Sequence, residues 1–161
     1  MNLIATLLSP ENVLVDLEAS SKKRVFEQAG LIFENNQDIG RSTVFDSLFA
    51  RERLGSTGLG QGVAIPHGRI KGLKEATGAV IRLAEPIAFD APDGKPVSLL
   101  FVLLVPEQAT EQHLQLLSEL AQLFSDGEFR DRVAHAADAA AVHALFTTWG
   151  ANAADQRHTA L

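Results

Sequence analysis

The sequence predicts a single α/β domain built around a mixed β-sheet. Segments with the apolar spacing of strands alternate along the chain with segments that have the apolar spacing of helices. The length of 161 residues fits one domain of ordinary size, and no internal repeat or linker divides the chain. The hydrophobic fraction of 46% and the charged fraction of 21% are those of an ordinary globular protein, so the chain can bury a core.

The chain is predicted to begin with a strand and a helix. Residues Asn12–Leu17 alternate enough between apolar and polar side chains to form the first strand. Ser20 or Ser21 then offers an N-cap for a helix over about Lys22–Phe33, whose apolar residues recur at helical spacing. The polar stretch Glu34–Gly40 predicts a connection to the next element.

A second helix is expected to lead into a glycine-rich segment. Ser42 is suited to cap this helix, which we expect to end at about Arg53. Its inward-facing residues are predicted to be Val44, Phe45, Leu48 and Phe49. The segment Gly55–Gly62 contains four glycines in eight residues, which excludes a regular helix and disfavours an efficient strand. Residues Val63–Ile65 then predict a short strand, because the residue before a proline is pushed towards extended geometry.

Two further strands are predicted in the middle of the chain. Residues Gly78–Leu83 form the first of them, and Val97–Val105 form the second. The second is almost continuously apolar, which is typical of a strand that is covered on both faces. Asp93-Gly94 predicts a turn between the two strands.

Three helices are expected after the last strand. Thr110 is suited to cap a helix to about Phe124, and Ser125 with Glu128 has the spacing of a capping box for the next one. The last helix is expected to start at Asp138 and to end near Trp149. Residues 150–161 are small and polar, and we expect a loose tail there. The predicted domain is therefore 1–149.

Composition excludes several classes of site and partner. The chain has no cysteine, which rules out disulfides, thiolate metal ligands and a cysteine nucleophile. With 14 basic and 20 acidic residues, the net charge of −6 argues against nucleic acid or anionic lipid as the main partner. Met1–Leu8 lacks the basic residues of a signal peptide, and Val97–Val105 is far shorter than the ~20 residues that cross a bilayer. We therefore expect a soluble, cytoplasmic protein without membrane insertion.

The glycine-rich segment predicts a site for an anion. Successive backbone N–H groups in such a segment can form a concave nest for phosphate. The candidate phosphate-binding residues are Gly55, Ser56, Thr57, Gly58, Gly60 and Gly62. The segment has the glycine spacing of a P-loop, but Gln61-Gly62 stands where Lys-Ser/Thr is required, and no G-x-G-x-x-G occurs in it. A nucleotide site is therefore not predicted.

His67 is the candidate phosphoryl acceptor. It follows a proline-constrained strand end and precedes Gly68. One imidazole nitrogen is nucleophilic near neutral pH while a hydrogen bond to the other fixes the tautomer, so a histidine can take up a phosphoryl group and pass it on. The alternative is an ordinary histidine in a loop or at a strand edge. The proline and glycine around His67 favour the functional interpretation.

A second histidine and an arginine complete the candidate site. His113 lies on the same helical seam as apolar residues that follow it. It is either a core histidine bonded to backbone, which the residues alone favour, or a second imidazole that donates to phosphoryl oxygens. A cation is also expected near a transferring phosphoryl group, and helical geometry does not choose between Arg51 and Arg53; Arg69 is a third candidate. No metal-binding motif occurs, and no cofactor is expected.

These residues resemble enzyme IIA of the fructose–mannitol class of the phosphotransferase system. The likeness lies in Arg51-Glu52, in Gly55-Ser-Thr-Gly-Leu-Gly, in Gly62-Val-Ala-Ile-Pro-His67-Gly, in Pro86-Ile-Ala-Phe-Asp-Ala-Pro-Asp-Gly94 and in His113-Leu114, and it covers about residues 1–148. The opening Leu7-Leu8-Ser9-Pro10-Glu11-Asn12-Val13 is most similar to the nitrogen-regulatory branch.

The resemblance implies a fold, roles and partners. It implies a mixed sheet with helices on both faces, phosphorylation of His67 through Nε2, His113 as the second active-site histidine, and Arg51 as the arginine that holds the phosphoryl group. The implied donor is a phosphohistidine carrier protein that an enzyme I charges from phosphoenolpyruvate. The implied role is a phosphotransferase component that regulates targets such as potassium-transport or sensor proteins.

Three functions remain open at this stage. The first is a phosphoryl-carrying regulator without a sugar substrate. The second is a sugar-transport enzyme IIA that hands phosphate to a separate IIB component. The third is an interaction module whose histidine is never phosphorylated.

Overall fold

The computed structural model of the protein describes residues 2–108 and 110–150, apart from the side chain of Thr110. In these residues the chain forms six strands, five α-helices and a 3₁₀ helix at Leu3–Thr6. The strands are β1 (Leu8–Leu17), β2 (Gly58–Gly60), β3 (Val63–Ala64), β4 (His67–Ile70), β5 (Thr77–Ile87) and β6 (Val97–Pro106). The helices are α1 (Lys22–Gln37), α2 (Arg41–Glu52), α3 (Thr110–Ser125), α4 (Gly127–His135) and α5 (Ala139–Thr148).

All six strands belong to one mixed sheet, as predicted. The strand order is β1-β5-β6-β3-β2, and β4 pairs with β6 beyond β3. Strand β1 is parallel to β5, β5 is antiparallel to β6, and both β3 and β4 are parallel to β6. Strand β6 is therefore the centre of the sheet, and β4 extends along the same edge of β6 as β3.

Helices cover both faces of this sheet, which confirms the predicted fold class. Helices α1 and α2 pack on one face, and α3, α4 and α5 pack on the other. Residues of β6 alternate between the two cores: Leu99, Phe101, Leu103 and Val105 face one core, and Leu100, Val102 and Leu104 face the other. The prediction that this apolar strand is covered on both faces is confirmed.

Helix α1 extends beyond its predicted end. It continues to Gln37, so the predicted connection over Glu34–Gly40 is wrong for its first four residues. The reason is the fully buried Asn12, whose Oδ1 accepts from Asn36 at 2.8 Å and whose Nδ2 donates to Gln37 at 2.8 Å. These polar side chains satisfy a buried amide from helical positions, which hydrophobic spacing does not reveal.

Two predicted helix caps are wrong and two are confirmed. Helix α2 begins after Gly40 instead of Ser42, because Glu34 of α1 accepts from the N–H of Arg41 at 2.9 Å and replaces a local cap. The N-cap of α4 is Asp126 instead of Ser125. Ser21 and Asp138 do cap α1 and α5. The side chain of Thr110, on which its predicted cap depends, and the predicted tail after Gly150 lie outside the described residues.

The strand ends also differ from prediction. Strand β1 begins at Leu8 and not at Asn12, and β5 is longer than Gly78–Leu83 at both ends. Strands β2 and β4 were not predicted. The expectation that glycines disfavour a strand is wrong at Gly58–Gly60, which pairs with β3, and the four residues of β4 carry no clear alternation. The predicted turn at Asp93-Gly94 is present, with the N–H of Gly94 donating to Ala91 O at 2.9 Å. No helix within residues 2–108 and 110–150 has the length and apolar character to cross a membrane.

Candidate functional site

The candidate site lies where β4 begins, beside the end of α2 and the start of α3. His67 is the first residue of β4 and pairs with Leu103 of the central strand. Pro66 O accepts from the N–H of Leu103 at 2.9 Å, so the chain is fixed immediately before His67. Helix α2 packs against β4, and a Cβ at position 68 would clash with the side chain of Ser47. The glycine after His67 therefore lets α2 lie close to the strand.

The imidazole of His67 is held in one tautomer. Its Nδ1 lies 2.7 Å from the carbonyl oxygen of Ile65. A carbonyl oxygen only accepts hydrogen bonds, so Nδ1 carries the hydrogen and donates it. In the neutral ring the lone pair is then on Nε2. The contact that fixes the tautomer thus leaves Nε2 as the nucleophilic atom.

The surroundings of His67 favour its neutral form. Partial burial lowers the pKa of His67 most strongly, and the hydrogen bond to Ile65 opposes that effect. The guanidinium of Arg51 lowers the pKa of His67 further, and the carboxylate of Glu52 raises it. The net direction is a pKa below the ordinary value, so the ring is neutral and nucleophilic near neutral pH.

His113 lies beside His67. The two rings meet edge to face with 5.3 Å between their centroids and an angle of 66° between their planes. Nε2 of His113 is buried and has no hydrogen-bond partner among the described residues. Burial, followed by the neighbouring His67, Arg69 and Arg51, lowers the pKa of His113. The structure thus does not support a backbone-bonded core histidine at Nε2, and a buried polar atom without a partner points to a ligand.

The three candidate arginines occupy different places. Arg51 is partly buried in the last turn of α2, donates from Nη1 to Gly55 O at 2.8 Å, and is close enough to lower the pKa of both histidines. Arg53 is the exposed residue after the end of α2 and has no comparable effect on either ring. Arg69 lowers the pKa of His113 and donates from Nη1 to Glu107 O at 3.2 Å. Of the three arginines, only Arg51 lowers the pKa of both histidines.

The glycine-rich segment folds into a small hairpin of β2 and β3. Gln61 and Gly62 connect the two strands, and their φ angles of 59° and 80° are typical of a type I′ turn. At least four N–H groups of the segment already have acceptors within the protein. Those of Gly55 and Thr57 donate to Glu52, that of Gly58 donates to Ser56, and that of Gln61 donates to Asp93. At these positions the backbone N–H groups stabilise the fold of the segment. Phosphate binding by Gly55, Ser56, Thr57, Gly58, Gly60 and Gly62 stays a prediction.

Glu52 has no predicted role, yet it is the buried carboxylate of this region. It lies next to Arg51, and its Oε1 accepts from the hydroxyl of Thr57 at 2.6 Å. The available sequence signal is an acidic residue in an inward position of a helix, followed five residues later by a hydroxyl side chain. In the part of the chain that the structure describes, no group of three or more acidic or histidine side chains is placed to hold a metal ion.

Comparison with known proteins gives a consistent set of relatives. Residues 6–149 match the family model described as "Phosphoenolpyruvate-dependent sugar phosphotransferase system, EIIA 2". The chain is 47% identical over 140 residues to a nitrogen regulatory protein of Pseudomonas aeruginosa, a match that covers 86% of this chain and 91% of that protein.

Solved structures agree with this result. The nitrogen regulatory protein IIA-Ntr of Neisseria meningitidis superposes with a TM-score of 0.85 and 55% identity, over 89% of this chain and 99% of that one. The mannitol IIA of Escherichia coli superposes with a TM-score of 0.71 and 22% identity, over 85% of this chain and 96% of that one. At that identity the second match shows a shared fold.

Proposed function

The chain belongs to the EIIA 2 family of the phosphoenolpyruvate-dependent sugar phosphotransferase system, and we propose that it carries a phosphoryl group on Nε2 of His67. The observation that supports this most directly is the 2.7 Å contact between Nδ1 of His67 and Ile65 O. That contact leaves the lone pair on Nε2, and the partial burial and the neighbouring Arg51 keep the ring neutral. The proposed carrier domain is 1–149.

The transfer step needs no separate base. The lone pair of Nε2 forms a bond to phosphorus while the bond between phosphorus and the donor's imidazole nitrogen breaks, and that electron pair returns to the donor ring. The hydrogen on Nδ1 stays in place and donates to Ile65 O while the phosphorylated ring carries positive charge. Positioning and charge stabilisation are then the tasks left to the protein.

Two neighbouring side chains are suited to stabilise the phosphoryl oxygens. Arg51 supplies a guanidinium beside both histidines, and guanidinium groups form strong hydrogen bonds to phosphate oxygens. His113 supplies a buried Nε2 that has no partner among the described residues. With its hydrogen on Nε2, His113 donates to a phosphoryl oxygen and thereby satisfies that atom.

The proposed donor is a phosphohistidine carrier protein that an enzyme I charges from phosphoenolpyruvate, and the proposed compartment is the cytoplasm, where that compound is made. We further propose that the phosphorylation state regulates target proteins, such as potassium-transport or sensor proteins. The names of the Pseudomonas and Neisseria relatives, both nitrogen regulatory proteins, support a regulator. Phosphorylation changes the charge of the site surface, which is a direct way to alter partner choice.

A second candidate is a sugar-transport enzyme IIA that passes its phosphoryl group to a separate IIB component. The family description, which names a sugar phosphotransferase system, supports this second candidate function. The site chemistry is the same in both cases, so only the acceptor differs. Transfer to a sugar-specific IIB protein at a rate comparable to acceptance from the carrier would establish this alternative.

The proposed function is tested by intact-mass analysis without acid, after incubation with enzyme I, the carrier protein and phosphoenolpyruvate. We expect one added phosphate on the wild type and on His135→Ala, and none on His67→Ala. His135 is an exposed histidine on α4 and serves as the matched control. No phosphate on the wild type, beside a carrier shown to be phosphorylated, would leave an unphosphorylated interaction module.

A further inference from the structure

Glu52 is a buried carboxylate with three donors. Its side chain is 4% exposed, and Lys22 Nζ lies 2.9 Å from its Oε2. The other two donors belong to one residue: the Thr57 hydroxyl donates to Oε1 at 2.6 Å, and the Thr57 N–H donates to Oε2 at 3.1 Å. The carboxylate therefore fixes both the side chain and the backbone of Thr57.

Thr57 is in turn connected to the tautomer-fixing contact of His67. Its carbonyl oxygen accepts from the N–H of Ile65 at 3.0 Å. The carbonyl of Ile65 then accepts from Nδ1 of His67 at 2.7 Å. A continuous hydrogen-bonded path thus leads from Glu52 through Thr57 and Ile65 to the imidazole.

From this path we propose that Glu52 is a positioning residue for His67: by fixing Thr57, it holds the Ile65 carbonyl where it keeps the hydrogen on Nδ1 and the lone pair on Nε2. The proposal rests on the proposed function of His67 only for its kinetic consequence. The tautomer itself is a property of the unphosphorylated protein.

The alternative is that Glu52 serves only as the partner of Lys22 in a buried ion pair. Such pairs contribute little net stability, because desolvation of the two charges offsets their attraction. Lys22 also lies over the ring of Phe89 at 4.3 Å, so it has a second favourable contact. An ion pair with Lys22 does not explain why Thr57 donates two hydrogen bonds to Glu52. Thr57 is the residue that connects Glu52 to Ile65 and His67.

The test is the tautomer of His67, read from the ¹⁵N chemical shifts of its two ring nitrogens, together with the rate of phosphoryl acceptance. In Glu52→Gln an amide group replaces one acceptor oxygen, so one bond to Thr57 or Lys22 is lost. We expect a larger population with the hydrogen on Nε2 and acceptance slower by about tenfold, as for loss of a charge-assisted hydrogen bond. The matched control is Glu34→Gln. Glu34 lies on α1, outside the site, and it also accepts from a backbone N–H and pairs with an arginine.

Two Thr57 variants keep the proposal testable if Glu52→Gln fails to fold. Thr57→Val removes the hydroxyl donor and should shift the tautomer in the same direction, while Thr57→Ser retains the donor and should shift it less. An unchanged His67 tautomer in both Glu52→Gln and Thr57→Val would overturn the proposal, even if acceptance slowed. If the wild type accepts no phosphate, the proposed function fails, and the ¹⁵N shifts still decide the positioning role.

Discussion

Nδ1 of His67 is bonded to the backbone at 2.7 Å, whereas Nε2 of the adjacent His113 is buried without a partner among the described residues. The two rings lie edge to face, with 5.3 Å between their centroids. One histidine thus has its protonated nitrogen fixed and its other nitrogen available as a nucleophile. The other has a buried nitrogen that can donate to a phosphoryl oxygen. This asymmetry is the basis for assigning acceptance to His67 and stabilisation to His113.

Replacing His113 by alanine is expected to slow phosphoryl acceptance by about tenfold or more without abolishing it, because one hydrogen-bond donor to the phosphoryl oxygens is lost. Rapid-quench kinetics with the phosphorylated carrier measures this rate. His143→Ala is the control, since His143 bonds through Nε2 to Leu8 O on β1 and takes no part in the site. Acceptance at the wild-type rate in His113→Ala would show that this ring is only structural.

Arg51→Ala is expected to reduce the acceptance rate by about tenfold or more, and Arg53→Ala by less than twofold, because Arg51 alone of the two lowers the pKa of both histidines. The two variants remove the same charge from neighbouring positions, so they control for net charge. The same kinetic assay compares them. Equal effects would mean that the wrong arginine has been assigned.

The pKa of His67 is expected to lie below the ordinary value of 6.5, since burial and Arg51 both lower it. The neutral nucleophile then persists below pH 6.5, and acceptance falls only as the pH drops through the lowered pKa. An NMR titration of the ring measures this directly. Arg51→Ala should move the pKa of His67 upwards, and a wild-type pKa at or above 6.5 would contradict the proposed electrostatics.

The lowered pKa of His67 should also make the free energy of unfolding depend on pH. As the pH falls below 6.5, the unfolded chain binds a proton at His67 before the folded protein does. The contribution of His67 to the free energy of unfolding is therefore complete above pH 6.5 and decreases as the pH approaches the lowered pKa. In denaturant titrations at several pH values, the free energy of unfolding of His67→Ala should depend less on pH than that of the wild type.

Gly68→Ala is expected to lower the free energy of unfolding by about 1–3 kcal/mol, because the added methyl group overlaps the Ser47 side chain and forces α2 away from β4. Denaturant unfolding measures the loss. Gly72→Ala is not a steric control, since Gly72 has a positive φ. The suitable comparison is Gly68→Ala combined with Ser47→Gly, which removes the overlapping side chain and should recover part of the stability.

Much of this fold was predictable because hydrophobic spacing reports which face of an element is buried. Strand β6 is an example, since its continuous apolar run requires cover on both faces. The wrong bounds of the two predicted helices α1 and α2 are instead fixed by polar side-chain contacts outside each helix's own apolar pattern. Helix α1 extends because Asn36 and Gln37 bond to the buried Asn12, and α2 begins early because Glu34 accepts from Arg41.

The sequence predicts candidate residues for the site but not their geometry. The Pro-His-Gly context marks His67, and the family resemblance marks Arg51 and His113. The contact of His67 with Ile65 O and the buried Nε2 of His113 depend on how β4 and α3 pack, which no local pattern contains. Glu52 was missed for a related reason: its importance comes from two bonds to Thr57 that form only when the loop folds back on α2.

The most direct measurement is the position of the phosphoryl group on the ring, by ¹⁵N and ³¹P NMR of the phosphorylated protein with ¹⁵N-labelled histidine. Because Nδ1 of His67 donates to Ile65 O, we predict a phosphorus–nitrogen bond at Nε2 of His67, with the hydrogen retained on Nδ1. Phosphorylation at Nδ1, or on any other residue, would contradict the assignment of Nε2 as the acceptor.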